Sequence, residues 1–496
     1  MTSLKHFEAV AGSMKLPGQA VIDGRRVASL SGKTFDNIGP RNGRVLGQVA
    51  ECDAADVDLA VASARKAFED GRWRKQLYRD KKKTLLKLAE LMERDIEALA
   101  VLESLDTGKP ISHALGGDVP NAVRTLRYYA EAIDKVYGEV GPETADRFSF
   151  AVHEPLGVIG SIVPWNFPLH MAMWKVAPAL AMGNSVVLKP AEQSPLTALK
   201  LGELALEAGL PAGVLNVVPG FGASAGKALA LHTDVDMIAF TGSGTVGRLL
   251  MQYSGQSNLK RVSLELGGKS PHIIFADCPD LKAAATEAAW GIFYNQGEVC
   301  TAASRLLVHE DIAPAFLESL LAVAREIKPN DPLDPKTNFG AMVSAEQMQT
   351  ALRYIDIGNR EGATLKLGGK RALEATGGFY VEPTVFDKVA PKDTLAREEV
   401  FGPVLAVTQF KSTEDAIRFA NDTPFGLAAG LWTKDISLAH RAAREIKAGL
   451  VWINGWDSCD ITMPFGGFKQ SGFGRDRSLH ALHKYADIKS VSITLR

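Results

Sequence analysis

Residues 158–165, VIGSIVPW, 185–190, SVVLKP, 214–220, VLNVVPG, 237–242, MIAFTG, and 261–266, RVSLEL, decide how this chain folds. Each is a short run dominated by Val, Ile and Leu and bounded by Gly or Pro, the pattern of a strand buried on both faces. Helical stretches separate them. Ser194 and Pro195 predict the N-cap and first turn of a helix running through Ala208. A second helix is expected over Gly222–Leu231 and a third from Gly244. Strands separated by helices of this length predict a parallel sheet with right-handed crossovers. Ligands of such sheets sit at the C-terminal ends of the strands.

Upstream, residues 54–107 show apolar residues every three or four positions, as in AADVDLAVASARKAF, and Gly108 and Pro110 end that pattern. A further helix is expected over about Asp118–Lys135. The first 50 residues, with turns such as VIDGRRV, read as small strands. Downstream, HIIFA (272–276), a helix around Leu281–Asn295 and RLLVH (305–309) open a second alternating region that extends to about Asn454. The tail, DIKSVSITL (487–495), reads as a last strand that either pairs with another subunit or forms a plain sheet edge.

Composition narrows the class. The 496 residues are enough for two to four domains. Lys and Arg total 56 against 57 Asp and Glu, a net charge of −1 without the basic excess of a nucleic-acid binder. Four cysteines (Cys52, Cys278, Cys300, Cys459) with no C-x-x-C pair argue against a disulfide scaffold or a structural zinc. The N-terminus lacks an apolar core with a cleavage site, and no run of 18 apolar residues exists. The expectation is a cytoplasmic enzyme with no membrane span.

Several motifs carry chemistry. Gly242-Ser243-Gly244-Thr245-Val246-Gly247 matches G-x-G-x-x-G between a strand and a helix, where backbone can approach a pyrophosphate; the alternative is a glycine-rich turn. Glu265, on the next strand, stands where a ribose-binding acid is expected. Lys189-Pro190-Ala191-Glu192 ends a strand with a Lys and a Glu able to face a sugar, so Glu192 and Glu265 compete for that role. Taken alone, Lys189 and Glu192 are as well explained by a surface ion pair. Cys300 lies in Asn295-Gln296-Gly297-Glu298-Val299-Cys300-Thr301. A lone cysteine is commonly inert core, but a polar turn before a helix would lower its pKa. Pro164-Trp165-Asn166-Phe167-Pro168 braces Asn166 on a rigid turn, either as an oxyanion donor or as structure alone.

Taken together, PWNFP (164–168), KPAE (189–192), FTGS (240–243), LELGGKSP (264–271), GEVC (297–300), EEVFGPV (398–404) and PFGGFKQSG (464–472) resemble the aldehyde dehydrogenase superfamily. They occur in family order over most of the chain. Gly244 departs from the family's usual Thr, which is why the stretch mimics a Rossmann fingerprint. The resemblance implies an α/β fold with three parts. A Rossmann-type NAD domain covers 1–135 and 152–266, and a second α/β catalytic domain covers 267–462. A small β oligomerisation element, 136–151 and 480–496, would make a homodimer or homotetramer.

The resemblance also assigns roles. Cys300 becomes the nucleophile, Glu265 the general base and Asn166 the oxyanion donor. Glu192 becomes the ribose acid with Lys189 beside it, and Glu399 with Phe401 takes the nicotinamide-side ribose. Trp165, Gly242 and Ser243 approach the pyrophosphate, with further cofactor contacts at Ile162, Gly222, Gly226, Val246 and Leu266. No catalytic metal is implied; a monovalent cation near Ile38, Asp106 and Gln193 occurs in some relatives. A carboxylate at Glu192 repels a 2′-phosphate, so NAD is expected over NADP.

For substrate, family mapping lines a pocket with Phe167, Trp174, Tyr294 and Phe465, and places the acids Asp118, Asp457 and Asp460 at its mouth, near Cys459. LESLDTGKPI, YYAEAIDKVYGEV, GIFYNQGEVC and GRDRSLHALHKY resemble the γ-glutamyl-γ-aminobutyraldehyde and aminoaldehyde dehydrogenases. The implied substrate is an ω-amino or guanidino aldehyde from polyamine breakdown, oxidised to the acid through a thiohemiacetal and a thioester. The alternatives are a broad-specificity aliphatic or betaine aldehyde enzyme, a Cys–His hydrolase, and a catalytically silent NAD-binding or structural protein.

Overall fold

A computed structural model describes residues 3–142, 144–458 and 460–496; Cys459 lies outside the described residues. The five apolar runs form the parallel centre of an eight-stranded sheet. Its order is Arg25–Val27, Ala20–Ile22, Leu215–Val217, Ser185–Lys189, Val158–Ile162, Met237–Gly242, Arg261–Leu266, Gly472–Phe473. The outer strands pair antiparallel. Val158–Ile162 and Ser185–Lys189 are buried along their whole length, which explains their unbroken apolar sequence. Pro164 and Pro190 follow closely. Each lacks an N–H for the ladder, so the chain leaves the sheet at one edge, in the loops that carry Asn166 and Glu192.

The second alternating region forms a seven-stranded sheet. Its order is Thr364–Leu367, Thr384–Asp387, Val404–Phe410, Arg305–His309, Pro271–Ile274, Ala428–Trp432, Leu450–Ile453, parallel except at the first strand. The tail strand, Ala486–Thr494, pairs antiparallel within its own chain, residue by residue, with Arg147–Pro155, and Glu139–Val140 completes a three-stranded sheet.

Three local expectations are corrected. The first 50 residues are not strands alone, because Leu4–Ser13 is a helix. Leu4, Phe7, Val10 and Ala11 recur at helical spacing, Phe7 is buried, and the Ser3 hydroxyl accepts from the His6 N–H. The helix expected from Ser194 begins at Leu196 with Pro195 at its cap. There the acceptor for the Leu196 N–H is the distant Asp106 carboxylate at 2.8 Å, not Ser194. No helix follows Cys300; the chain turns and enters the strand Arg305–His309.

Candidate active site

The central strands run 3-2-1-4-5 in chain order, so the crossovers leave to opposite faces beside Val158–Ile162 and Met237–Gly242 and open a crevice at their C-terminal ends. A cavity of about 240 Å³ occupies it. Trp165 and Asn166 reach it from the loop after the first strand, Gly242 and Ser243 from the end of the fourth, and Glu265 and Leu266 from the fifth. Glu399 and Phe401 close it from the second sheet's side. Trp165 and Phe401 meet edge to face at 5.2 Å. Phe401 holds a left-handed backbone (φ 54°), and its carbonyl accepts from Gln347 Nε2 at 2.7 Å. Gly267 lets the Glu399 carboxylate lie close against the backbone, where a Cβ would displace it.

Cys300 lies at the junction of this cavity with a second one of about 280 Å³, lined by Asp118, Phe167, Trp174, Tyr294, Asp457, Asp460 and Phe465. The turn that presents it is strained. Asn295, Gln296 and Gly297 are consecutively left-handed (φ 48°, 57° and 74°), a conformation held only by its surroundings. The Asn295 side chain donates to the Asn166 carbonyl and to the Glu298 carbonyl, both at 3.2 Å. Gln296 Oε1 accepts from Gly340 N–H, and Glu298 Oε1 from Val343 N–H. Asn166 Nδ2 donates to the Glu298 carbonyl at 2.9 Å, which leaves its second N–H for a substrate oxygen.

Lys109 holds the same asparagine from behind. It is fully buried, donates to the Asn166 carbonyl at 2.9 Å, pairs with Asp118 and lies 4.1 Å from the Phe167 ring centre. The sequence reading missed it, although a lysine between the glycine that ends the helix Ile96–Thr107 and Pro110 was a visible signal.

The thiol differs from expectation. Burial raises the Cys300 pKa far above its ordinary value, and the carboxylates of Glu265, Asp457 and Glu399 add to the shift. The acidifying helix terminus is not there. Glu265, buried with no partner for Oε1 among the described residues, is pushed up to about 8 by desolvation and by the Asp476 charge, against Lys175, Lys484 and Arg475. Behind it lies a buried Lys175–Asp476–Lys484 chain of ion pairs that the sequence reading did not assemble. Its signal was Lys175, the one cation in the helix PLHMAMWKVAPALA (Pro168–Ala181). Glu399 accepts from Gly268 N–H at 3.0 Å, and burial raises it to about 7.

The remaining cofactor candidates share one edge of the first sheet. Ile162 pairs in register with Lys189, whose ammonium meets Glu192 at 3.0 Å. Gly222 and Gly226 bound the turn after Leu215–Val217. Val246 donates its N–H to the Ser243 hydroxyl that caps the helix Gly244–Gln256.

One electrostatic expectation is corrected. Asp118 lines the second cavity but is buried, and Lys109 takes up its charge, so it is not a free acid at the mouth. Arg124 and Arg477, which the sequence reading did not count, line the same cavity. Asp457 and Asp460 do reach it; desolvation raises Asp457 to about 6, with Arg477 opposing. Asp106, placed by resemblance near a monovalent cation with Ile38 and Gln193, instead accepts from Asn37 Nδ2 and Leu196 N–H, and burial holds it well above the usual carboxylate range.

Residues 27–491 match the profile of the Aldehyde dehydrogenase family. The chain is 49% identical over 492 residues, 99% of each sequence, to the NADP/NAD-dependent aldehyde dehydrogenase PuuC of Escherichia coli K12. Two solved structures superpose over all of both chains at 54% identity. One is an indole-3-acetaldehyde dehydrogenase complexed with NAD+, at a TM-score of 0.99. The other is a γ-glutamyl-γ-aminobutyraldehyde dehydrogenase from Burkholderia cenocepacia, at 0.98.

Proposed function

Because the chain belongs to the aldehyde dehydrogenase family and is an NAD(P)-dependent oxidoreductase, we propose that it oxidises an ω-amino or guanidino aldehyde to the carboxylic acid through a thioester on Cys300. The observation that carries the mechanism is the position of Cys300, where the two cavities meet with Asn166 and Glu265 on the same walls.

The residues present fit the cofactor. The glycine at 267 admits the Glu399 carboxylate, and among the described residues the buried hydroxyl of Thr241 and Oε1 of Glu265 have no partner at the crevice wall. Glu399, Phe401, Trp165 and Ser243 would hold NAD at the first cavity, and Lys189 with Glu192 its other ribose. Bound NAD supplies the acceptor for the hydride that leaves the substrate carbon. A carboxylate at Glu192 would accept from ribose hydroxyls and repel a 2′-phosphate, so we read NAD as preferred over NADP.

The chain's own residues do the rest. The Cys300 thiol gives its proton to water, Sγ bonds to the carbonyl carbon, and the carbonyl pair moves onto oxygen. The free N–H of Asn166 and the Cys300 backbone N–H steady that oxyanion; one such donor is typically worth about 100- to 1,000-fold in rate. When the oxyanion pair re-forms the carbonyl, hydride departs and the acyl group stays on Sγ. Glu265 then takes a proton from water, the water oxygen bonds to the acyl carbon, and Sγ leaves with its electron pair.

The aminoaldehyde reading rests on Asp457 and Asp460 beside the aromatic walls of Phe167, Trp174, Tyr294 and Phe465. An acidic aromatic channel favours a cationic substrate. The second reading, a broad-specificity aliphatic enzyme, is favoured by the neutralised Asp118 and by Arg124 and Arg477. Steady-state kcat/KM for 4-aminobutyraldehyde, butanal and phenylacetaldehyde, each with NAD and NADP, decides between them. We expect 4-aminobutyraldehyde with NAD to lead by about tenfold on each axis; equal values for the amino and neutral aldehydes defeat the first reading.

A further inference from the structure

A third cavity, of about 350 Å³, adjoins the substrate channel and shares Tyr294, Val299, Thr301 and Asp457 with it. Val299 and Thr301 are the chain neighbours of Cys300, so the cavity opens next to the reacting carbon. We propose that Glu287, Trp290, Tyr294, Trp456 and Asp457 make it an organic-cation site that takes an alkylammonium or guanidinium group.

The walls have the chemistry for this and for little else. Two indoles, a phenol and two carboxylates line it, the kinds of group from which ammonium sites are built. Among the described residues no Lys or Arg lines this cavity, whereas Arg124 and Arg477 line the channel beside it. A cationic tail here meets carboxylates with no opposing cation among the described residues, whereas in the channel Arg124 and Arg477 offset part of the charge of Asp457 and Asp460. Glu287 Oε2 is a buried oxygen with no hydrogen-bond partner among the described residues, and such an oxygen calls for a donor from the ligand. Burial also raises the Glu287 carboxyl above its ordinary range, and the Trp456 backbone N–H opposes that.

The Trp456 ring is placed by design of the surrounding elements. It lies 4.7 Å from the His272 ring and 5.0 Å from Trp452, centre to centre. Gly291 stands within the helix Leu281–Phe293 and Gly430 within the strand Ala428–Trp432, positions where glycine weakens both kinds of element. A Cβ at Gly430 would come within 2.6 Å of the Trp456 ring, and one at Gly291 within 3.3 Å. Both elements thus carry the residue that lets the indole in.

The cation can be the far end of the substrate, which rests on the aminoaldehyde reading, or a free amine from solution. Titration of the NAD-bound protein with n-butylammonium, read by tryptophan fluorescence, tests the site, with 1-butanol as the neutral control. We expect saturable binding of butylammonium that weakens about tenfold in Glu287→Gln, with the butanol titration unmoved. Trp290→Leu should give the same loss and serves if Glu287→Gln does not fold. No saturable binding, or equal affinity in wild type and variants, overturns the proposal. Competition between butylammonium and 4-aminobutyraldehyde identifies the substrate tail as occupant, and non-competitive inhibition identifies a free amine; the site stands in both cases. If wild type shows no preference for 4-aminobutyraldehyde over butanal, the aminoaldehyde reading fails by itself, and the fluorescence titration still decides the site.

Discussion

At the scale of single residues, Glu265 sets a testable pH dependence. Its task requires the ionised form, and desolvation beside Asp476 raises its pKa to about 8. Below that pH the group is mostly protonated and cannot accept from water, so turnover should rise with pH and level off above about 8. In Glu265→Gln the rising limb should vanish, kcat should fall by about 100- to 10,000-fold, and acyl-Cys300 should accumulate, as seen by intact-protein mass spectrometry after rapid quench. A rising limb that survives in the variant assigns it to another group. The candidate site was largely legible at this scale. Cys300, Asn166, Glu265, Glu399 and Phe401 could be placed because each lies in a contiguous motif. Lys109, Arg477 and the Lys175–Asp476–Lys484 chain were not, since their meaning lies in partners far away in sequence. Asp118 shows the same limit from the other side: as a sequence position it is an acid near a channel, and only its contact with Lys109 shows that the charge is neutralised.

At the scale of elements, the parallel strands were readable because a strand buried on both faces leaves a continuous apolar run. Helix ends were less so. The helix Leu196–Glu207 has its first N–H satisfied by Asp106, which is 90 residues away and could not be seen as a cap. The turn at Cys300 reads as a helix start from composition, yet three left-handed residues direct it into a strand instead. Glycines inside regular elements are equally opaque until the neighbour is known. Gly430→Ala should add a methyl against the Trp456 ring, and overpacking of this kind costs typically about 1–3 kcal/mol. Thermal unfolding should report that as a Tm lowered by a few degrees, with tryptophan fluorescence shifted as the ring moves. An unchanged Tm and spectrum would mean that the ring yields freely.

At the scale of the whole molecule, the three-stranded sheet bears on assembly. In the observed register Ile493 lies opposite Phe148 and Val491 opposite Phe150, which itself pairs with Val140. All five therefore share one face, and Val140, Phe148 and Ile493 are exposed on it. An exposed apolar face of this kind marks an interaction surface, and we infer that it serves self-association to a dimer or a dimer of dimers. Ile493→Lys should lower the mass measured by analytical ultracentrifugation, and an unchanged mass moves the interface elsewhere. The domain limits 1–135 with 152–266, and 267–462, remain our proposal, and the sheets illustrate why such limits are hard to read: Gly472–Phe473 returns from far downstream to pair with Arg261–Leu266. Local sequence was enough for the α/β class and the parallel order of strand and helix, and it marked Cys300, Glu265 and Asn166 as candidates. Those follow from local periodicity and contiguous motifs, which act over a few residues. The tertiary structure alone decided which acids stay charged, how high the thiol and Glu265 titrate, and which aromatic rings close a cavity. Those depend on burial and on charges brought together across hundreds of residues, and neither is a property of any short stretch of chain.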